Sequence, residues 1–150
     1  MIIRKMKPED HDKVLAMMRV FYDSPALIHK SSNKVLEADI AACLDENMPL
    51  LDGYIFEEAD RIIGYAMASL NFTTEYGGVC VWVEDLYLEE DCRHKGYGSA
   101  FFKFLEATYP QAVRFKLEVE QENENAVATY RKNGYQVSDY FLMTKEMVEG

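Results

Sequence analysis

Three short stretches of the chain have residue types and spacings suited to chemistry. The first is Arg93-His94-Lys95-Gly96-Tyr97-Gly98-Ser99, between a strand-like and a helix-like segment. Glycine at 96 and 98 lets a ligand approach the backbone with no Cβ in the way. The first amides of a helix lack partners within it and point out of its positive end, so they converge on a spot suited to phosphate. Arg93 and Lys95 add cationic charge there. The same spacing also fits a plain helix start whose glycines only ease a turn. A dinucleotide fingerprint is excluded because Phe101 stands where it needs Gly or Ala. A P-loop is excluded because the sequence has no Gly-Lys-Ser/Thr triplet.

The second stretch runs from Glu122 to Tyr135. A helix starting at Asn123 puts Tyr130 two turns up the same face, with the small Ala126 between them. A polar end, a shallow groove and a phenol in line suit an extended ligand. An N-cap asparagine and an ordinary half-buried tyrosine fit the same pattern.

The third is Trp82-Val83-Glu84-Asp85-Leu86-Tyr87-Leu88. Adjacent acids on a strand point to opposite faces, so one of the pair at most faces a given site. Such an acid matters to an amine substrate: an alkylammonium, with a pKa near ~10, is not a nucleophile until it loses a proton. A solvated face or an ion pair is the alternative use of either acid. His11 and His29 lie far from these stretches and read as structural. Cys92 borders the glycine loop, but no Cys/His/acid arrangement makes it a nucleophile. No metal-binding spacing occurs, so no metal site is expected.

The elements that must position these residues follow from pattern. Ile2-Ile3-Arg4 reads as a first strand, and Pro8 opens a helix with Val14, Leu15, Met18 and Phe21 on one stripe. Residues 24–33 read as a loop and 35–44 as a second helix. Residues 50–57 and 62–71 read as strands around the turn Glu58-Ala59-Asp60-Arg61, and 79–88 as a long strand. A helix over 98–109 is stopped by Pro110, a strand follows over 115–119, and a helix over 123–133 ends at Gly134. One or two strands over 135–146 close the chain. The order predicts a mixed α/β (α+β) sheet with helices on both faces, in one domain spanning residues 1–150.

Composition narrows the function. The chain has 26 acidic and 16 basic residues and a net charge of −10. That argues against nucleic acid and suits a cationic partner, although it also serves solubility. The three cysteines, Cys43, Cys80 and Cys92, form no disulfide framework, which fits a reducing compartment. No signal segment is visible, and no run approaches the ~20 apolar residues of a membrane span. A cytoplasmic protein with no membrane association is expected.

Together the three stretches resemble the GNAT superfamily of N-acetyltransferases. Arg93 to Gly98 matches its pyrophosphate motif, [Arg/Gln]-x-x-Gly-x-[Gly/Ala]. Asn123, Ala126 and Tyr130 match its Asn-x-x-Ala-x-x-x-Tyr motif, and Lys132-Asn133-Gly134-Tyr135 its Lys-x-Gly-aromatic tail. Glu84 to Leu88 is also similar to the corresponding stretch of diamine and polyamine acetyltransferases. The resemblance implies a largely antiparallel sheet whose central strands splay to admit acetyl-CoA as co-substrate. It implies that backbone groups of Leu86, Tyr87 and Leu88 pair with the pantetheine arm. Arg93, His94, Lys95, Gly96, Tyr97, Gly98 and Ser99 would hold the pyrophosphate, and Asn123 and Ala126 the rest of the cofactor. Tyr130 would protonate the departing thiolate in a ternary complex, and the base would be Glu84, Asp85 or bulk water. The implied acceptor is a small cationic, polyamine-like amine. A protein lysine or N-terminal amine is the alternative acceptor, and a non-catalytic acetyl-CoA-binding module the alternative role. The family often forms homodimers through its late strands, for which Tyr140 to Met143 would serve.

Overall fold

In the computed structural model, which describes residues 1–148, the apolar alternation of the chain resolves into a single sheet. Its strands are β1 (Ile2–Lys5), β2 (Leu51–Glu58), β3 (Arg61–Thr73), β4 (Gly78–Leu88) and β5 (Ala112–Leu117), and they pair in that order. The first four are antiparallel, and β4 with β5 is parallel. Four helices complete the fold: α1 (His11–Tyr22), α2 (Asn33–Leu44), α3 (Tyr97–Thr108) and α4 (Glu124–Lys132). This is the mixed, largely antiparallel sheet with helices on both faces that the sequence predicts.

Local chemistry sets the boundaries. Ala59 and Asp60, at φ 50° and 61°, make the two-residue left-handed turn between β2 and β3. Ser32 caps α2 by accepting the Val35 amide at 3.4 Å. One face of the sheet carries α1 and α2 over Met67, Tyr65 and Tyr87. The other carries α3 over Phe56, Val81 and Val83, with Phe101, Phe102 and Leu105 as the helix's buried side.

Two irregularities in β4 shape the site. Met67 pairs with Asp85 while the next residue, Ala68, pairs with Val83, so Glu84 is an extra residue, a β-bulge. The pairing of β4 with β5 runs only from Val79–Ala112 to Val83–Leu117, whereas β4 continues to Leu88. The two strands therefore part over Glu84 to Leu88, which is the splay expected from the sequence.

Two expectations change. The fifth strand begins and ends earlier than the 115–119 read from the sequence. Residues 135–146 form no strand. Their apolar side chains favour β structure, but a strand needs an edge in register, and a cavity of about 1220 Å³ lies between β5 and Gln136–Leu142. The Tyr140 hydroxyl reaches Glu75 at 3.0 Å instead, and Phe141 and Met143 stay 97% and 91% exposed.

Close approach of β3 to β4 is built on Gly64, opposite Leu88. A Cβ there would lie 2.3 Å from the Tyr87 carbonyl oxygen and 2.8 Å from the Phe56 ring. Gly64→Ala is expected to destabilise the protein by about 3 kcal/mol. That lowers the thermal midpoint by roughly 6–12 °C, measured by calorimetry. An unchanged midpoint would show that β3 and β4 can move apart at this pair.

Candidate active site

The bulge decides where the acids of β4 point. Val81 and Val83 belong to the α3 face. Regular alternation would put Asp85 and Tyr87 there too. With the extra residue at Glu84, Leu86 and Leu88 fall on the α3 face, and Tyr87 on the α1/α2 face. Asp85 turns the same way, toward Tyr22 and Tyr65. Glu84 stays exposed and accepts the Ser69 hydroxyl at 2.7 Å. Ser69 lies in register with Tyr65 and Met67, so the bulge turns both acids to the α1/α2 face, against the alternation expected from the sequence, and only Asp85 is buried.

Asp85 is 4% exposed. Its Oδ2 accepts the Tyr65 hydroxyl at 2.8 Å and its Oδ1 the Tyr22 hydroxyl at 2.9 Å. Burial pushes its carboxyl up to about 6, against the pull of these two hydrogen bonds, and the nearby Asp39 and Glu84 raise it further. Asp39, half-buried on α2, is itself shifted upward by desolvation and by Glu84. Phe21, Tyr65 and Tyr87 pack ring against ring at 6.0–6.4 Å beside this carboxylate. Tyr22, Tyr65 and Asp39 carry no motif in the sequence. Tyr22 shows only as the residue after the amphipathic stripe that ends at Phe21, and Tyr65 only as one of several apolar residues in a strand.

Beyond β4 the chain enters the glycine loop. Arg93 folds back, its Nε donating to the Leu88 carbonyl at 2.9 Å and its guanidinium lying 5.7 Å from the Tyr87 ring centre. His94 and Gly96 adopt left-handed φ of 62° and 81°, turning successive amides to one side. The first hydrogen bond into α3 is from the Ala100 amide to the Gly96 carbonyl, at 3.0 Å. The amides of Tyr97, Gly98 and Ser99 precede it and lie at the helix's positive end. A Cβ at Gly96 would meet nothing within 4 Å, and one at Gly98 only the Thr129 methyl at 3.8 Å. The open space in front of Gly96 and Gly98 suits a phosphate group. Lys95 is exposed beside it, and the Tyr97 hydroxyl bonds to Glu58 on β2.

α4 flanks this loop. Asn123 is its N-cap, its carboxamide oxygen accepting the Ala126 amide at 3.3 Å. Asn133, at its other end, donates to the Ser99 hydroxyl at 2.9 Å and ties α4 to the start of α3. Tyr130 packs on Phe102 and Tyr135, with ring centres 5.7 and 6.3 Å away. Desolvation shifts its phenol upward, so it stays protonated at neutral pH. Among the described residues no group hydrogen-bonds its hydroxyl.

Comparison with known proteins agrees with this arrangement. The model of the acetyltransferase (GNAT) family matches residues 12–135. The chain belongs to that family, and it is an acetyl-CoA-dependent N-acetyltransferase. No curated protein sequence matches the chain. Among solved structures it is similar to a possible acetyltransferase from Clostridium difficile, with a TM-score of 0.83, 22% identity, and 98% and 97% of the two chains covered. It is similar to a ribosomal-protein-alanine N-acetyltransferase from Brucella melitensis, with a TM-score of 0.76, 13% identity, and 97% and 98% covered. A third likeness is to AAC(6')-Iy in complex with the bisubstrate analogue CoA-S-monomethyl-acetylneamine, with a TM-score of 0.78, 14% identity, and 98% of each chain covered. Among the described residues no helix is long and apolar enough to cross a membrane.

The buried acid carries a stability signature. An unfolded Asp has a pKa near ~3.9, and the folded value is about 6. The folded state therefore binds the proton more tightly, and stability falls as pH rises from about 4 through 6, by on the order of 2–3 kcal/mol. Asp85→Asn is expected to raise the thermal midpoint by several degrees at pH 8 and to change it little at pH 4. A lower midpoint at pH 8 would mean that the charge is compensated in the native state.

Proposed function

We propose that the chain acetylates a primary amine of a small, polyamine-like cation by direct attack in a ternary complex. The observation that carries this reading is the parting of β4 from β5 beyond Val83, directly before the amide row at the start of α3. Acetyl-CoA supplies an activated acetyl thioester. The backbone of Leu86, Tyr87 and Leu88, free of β5, holds the pantetheine arm, and a strand N–H near Leu86 faces the oxyanion. Arg93 and the amides from His94 to Ser99 hold the pyrophosphate, while Asn123 and Ala126 line the groove. Tyr130 gives its proton to the leaving sulfur. Glu84 and Asp85 draw in the ammonium, and one of the two carboxylates, or water beside them, takes up its proton.

The charge on the acceptor side supports a cation. Asp39 and Glu84 both raise the Asp85 carboxyl, and Glu84 raises that of Asp39. A separate cavity of about 340 Å³ is walled by Pro25, Ala26, Glu120, Glu122 and Asn123. A small acidic recess suits a small amine better than a protein surface does. The bisubstrate analogue bound by AAC(6')-Iy, a CoA joined to a neamine, points the same way. The unpaired cysteines support a reducing, cytoplasmic setting. The exposed Phe141, Leu142 and Met143 beside the free edge of β5 support a homodimer. Light scattering is expected to give twice the chain mass, and the chain mass for Phe141→Asp.

The reading is tested by release of free CoA thiol from acetyl-CoA with a panel of polyamines, aminoglycosides, amino acids and short peptides. Turnover is expected with polyamines, and Tyr130→Phe should lower it by about 10²-fold with acetyl-CoA binding retained. Turnover confined to peptides would replace the small-amine acceptor with a protein. Acetyl-CoA binding with no turnover on any amine would favour a non-catalytic binding module.

A further inference from the structure

We propose that the phenol of Tyr22, at the end of α1, relays the acceptor's proton to Asp85, which makes Tyr22 a catalytic residue and Tyr65 a positioning residue. The proposal rests on the acetyl-transfer reading. At 4% exposure Asp85 is closed to direct contact with a substrate amine. Both of its oxygens are occupied by phenols, and the two phenols differ. Tyr65 is fully buried in the core beneath α1 and anchors Oδ2 at 2.8 Å. Tyr22 is only half-buried and holds Oδ1 at 2.9 Å. Of the two phenols on the carboxylate, Tyr22 is the one with exposed surface, and the proton is routed through it. The chain just after it, Pro25 and Ala26, walls the acidic cavity together with Asn123, the cap of the helix that carries Tyr130.

The groups acting on Asp85 fit a proton acceptor. Tyr22 faces it from α1, Asp39 and Cys43 from α2, Tyr65 from β3 and Glu84 from its own strand. Each is neutral or acidic, so none neutralises the carboxylate, and an entering ammonium does. In the step, an N–H bond of the ammonium breaks and its proton joins the Tyr22 oxygen. The Tyr22 O–H bond breaks and its proton joins Oδ1. The nitrogen keeps the electron pair and becomes a nucleophile. An ion pair becomes a neutral amine and a neutral acid, which burial favours, because desolvation raises a carboxyl and lowers an ammonium. After the product leaves, the proton returns to solvent by the same phenol.

The probe is spermidine with acetyl-CoA, or the most active amine of the panel, followed by thiol release. Tyr22→Phe is expected to lower kcat/KM for the amine by about 10²-fold, with the KM for acetyl-CoA unchanged. Asp85→Asn should lose as much, and the double variant no more than either, because the two act as one unit. Tyr65→Phe removes a hydrogen bond that favours the charged carboxylate. It should move the acid limb of the kcat/KM profile from about 6 to higher pH while keeping most of the rate at pH 9. Full activity in Tyr22→Phe, multiplied losses in the double variant, or a larger loss in Glu84→Gln than in Asp85→Asn would each overturn the relay and leave acetyl transfer standing. An unmodified protein that releases no thiol with any amine overturns both.

Discussion

The extra residue at Glu84 is the constraint on which the rest of the site depends. A strand has a period of two, so one inserted residue moves everything after it to the other face of the sheet. Before the bulge, β4 gives Val81 and Val83 to the α3 core. After it, β4 gives Tyr87 to the α1/α2 core and turns Asp85 toward Tyr22 and Tyr65. Without the insertion Asp85 would point at Phe101 and Phe102, where no polar partner waits.

The same stretch of β4 has a second consequence. A strand that leaves its parallel neighbour exposes backbone N–H and C=O groups that must find other partners. Here the departure spans Glu84 to Leu88, and the chain then passes at once into the glycine loop. Arg93 secures that junction by returning to the Leu88 carbonyl, and Asn133 secures the far side through Ser99. The free strand edge and the free helix amides are thus held at a fixed spacing by contacts that leave those amides open and take only the Leu88 carbonyl from the edge. An extended ligand with a peptide-like arm and a phosphate end matches that spacing.

The parts of this arrangement set by local chemistry were legible in the sequence. Gly96, the Asn123 cap and the Tyr130 spacing each depend on neighbours within a turn or two, so residue type alone implied their geometry. Alternation expected Glu84 and Asp85 on opposite faces, whereas both lie on the α1/α2 face. It failed there because a bulge has no residue signature here and shows only in the pairing of Met67 and Ala68. Tyr22 and Tyr65 were invisible for a related reason. They meet Asp85 across 63 and 20 residues of chain, and such contacts follow from packing rather than pattern. The closing segment failed in the opposite sense: 135–146 has strand-like residues, but strand propensity takes effect only where an edge receives it in register.

Desolvation tunes the two ends of the site in the same direction. It raises the Asp85 carboxyl to about 6 and also raises the Tyr130 phenol. For the acid on β4 this strengthens its hold on a proton while leaving it ionised at neutral pH, which is what a base needs. For the phenol it guarantees a proton but makes that proton harder to give up. A thiolate in water, with a parent pKa near ~8.5, is a poor match for such a donor. The mismatch narrows if the sulfur leaves inside the same dry groove, because burial raises a thiol as it raises a phenol. In the proposed reaction Tyr130 would therefore be effective only toward a thiolate that forms beside Phe102 and Tyr135, which would make closure of the groove and protonation of the leaving group one requirement.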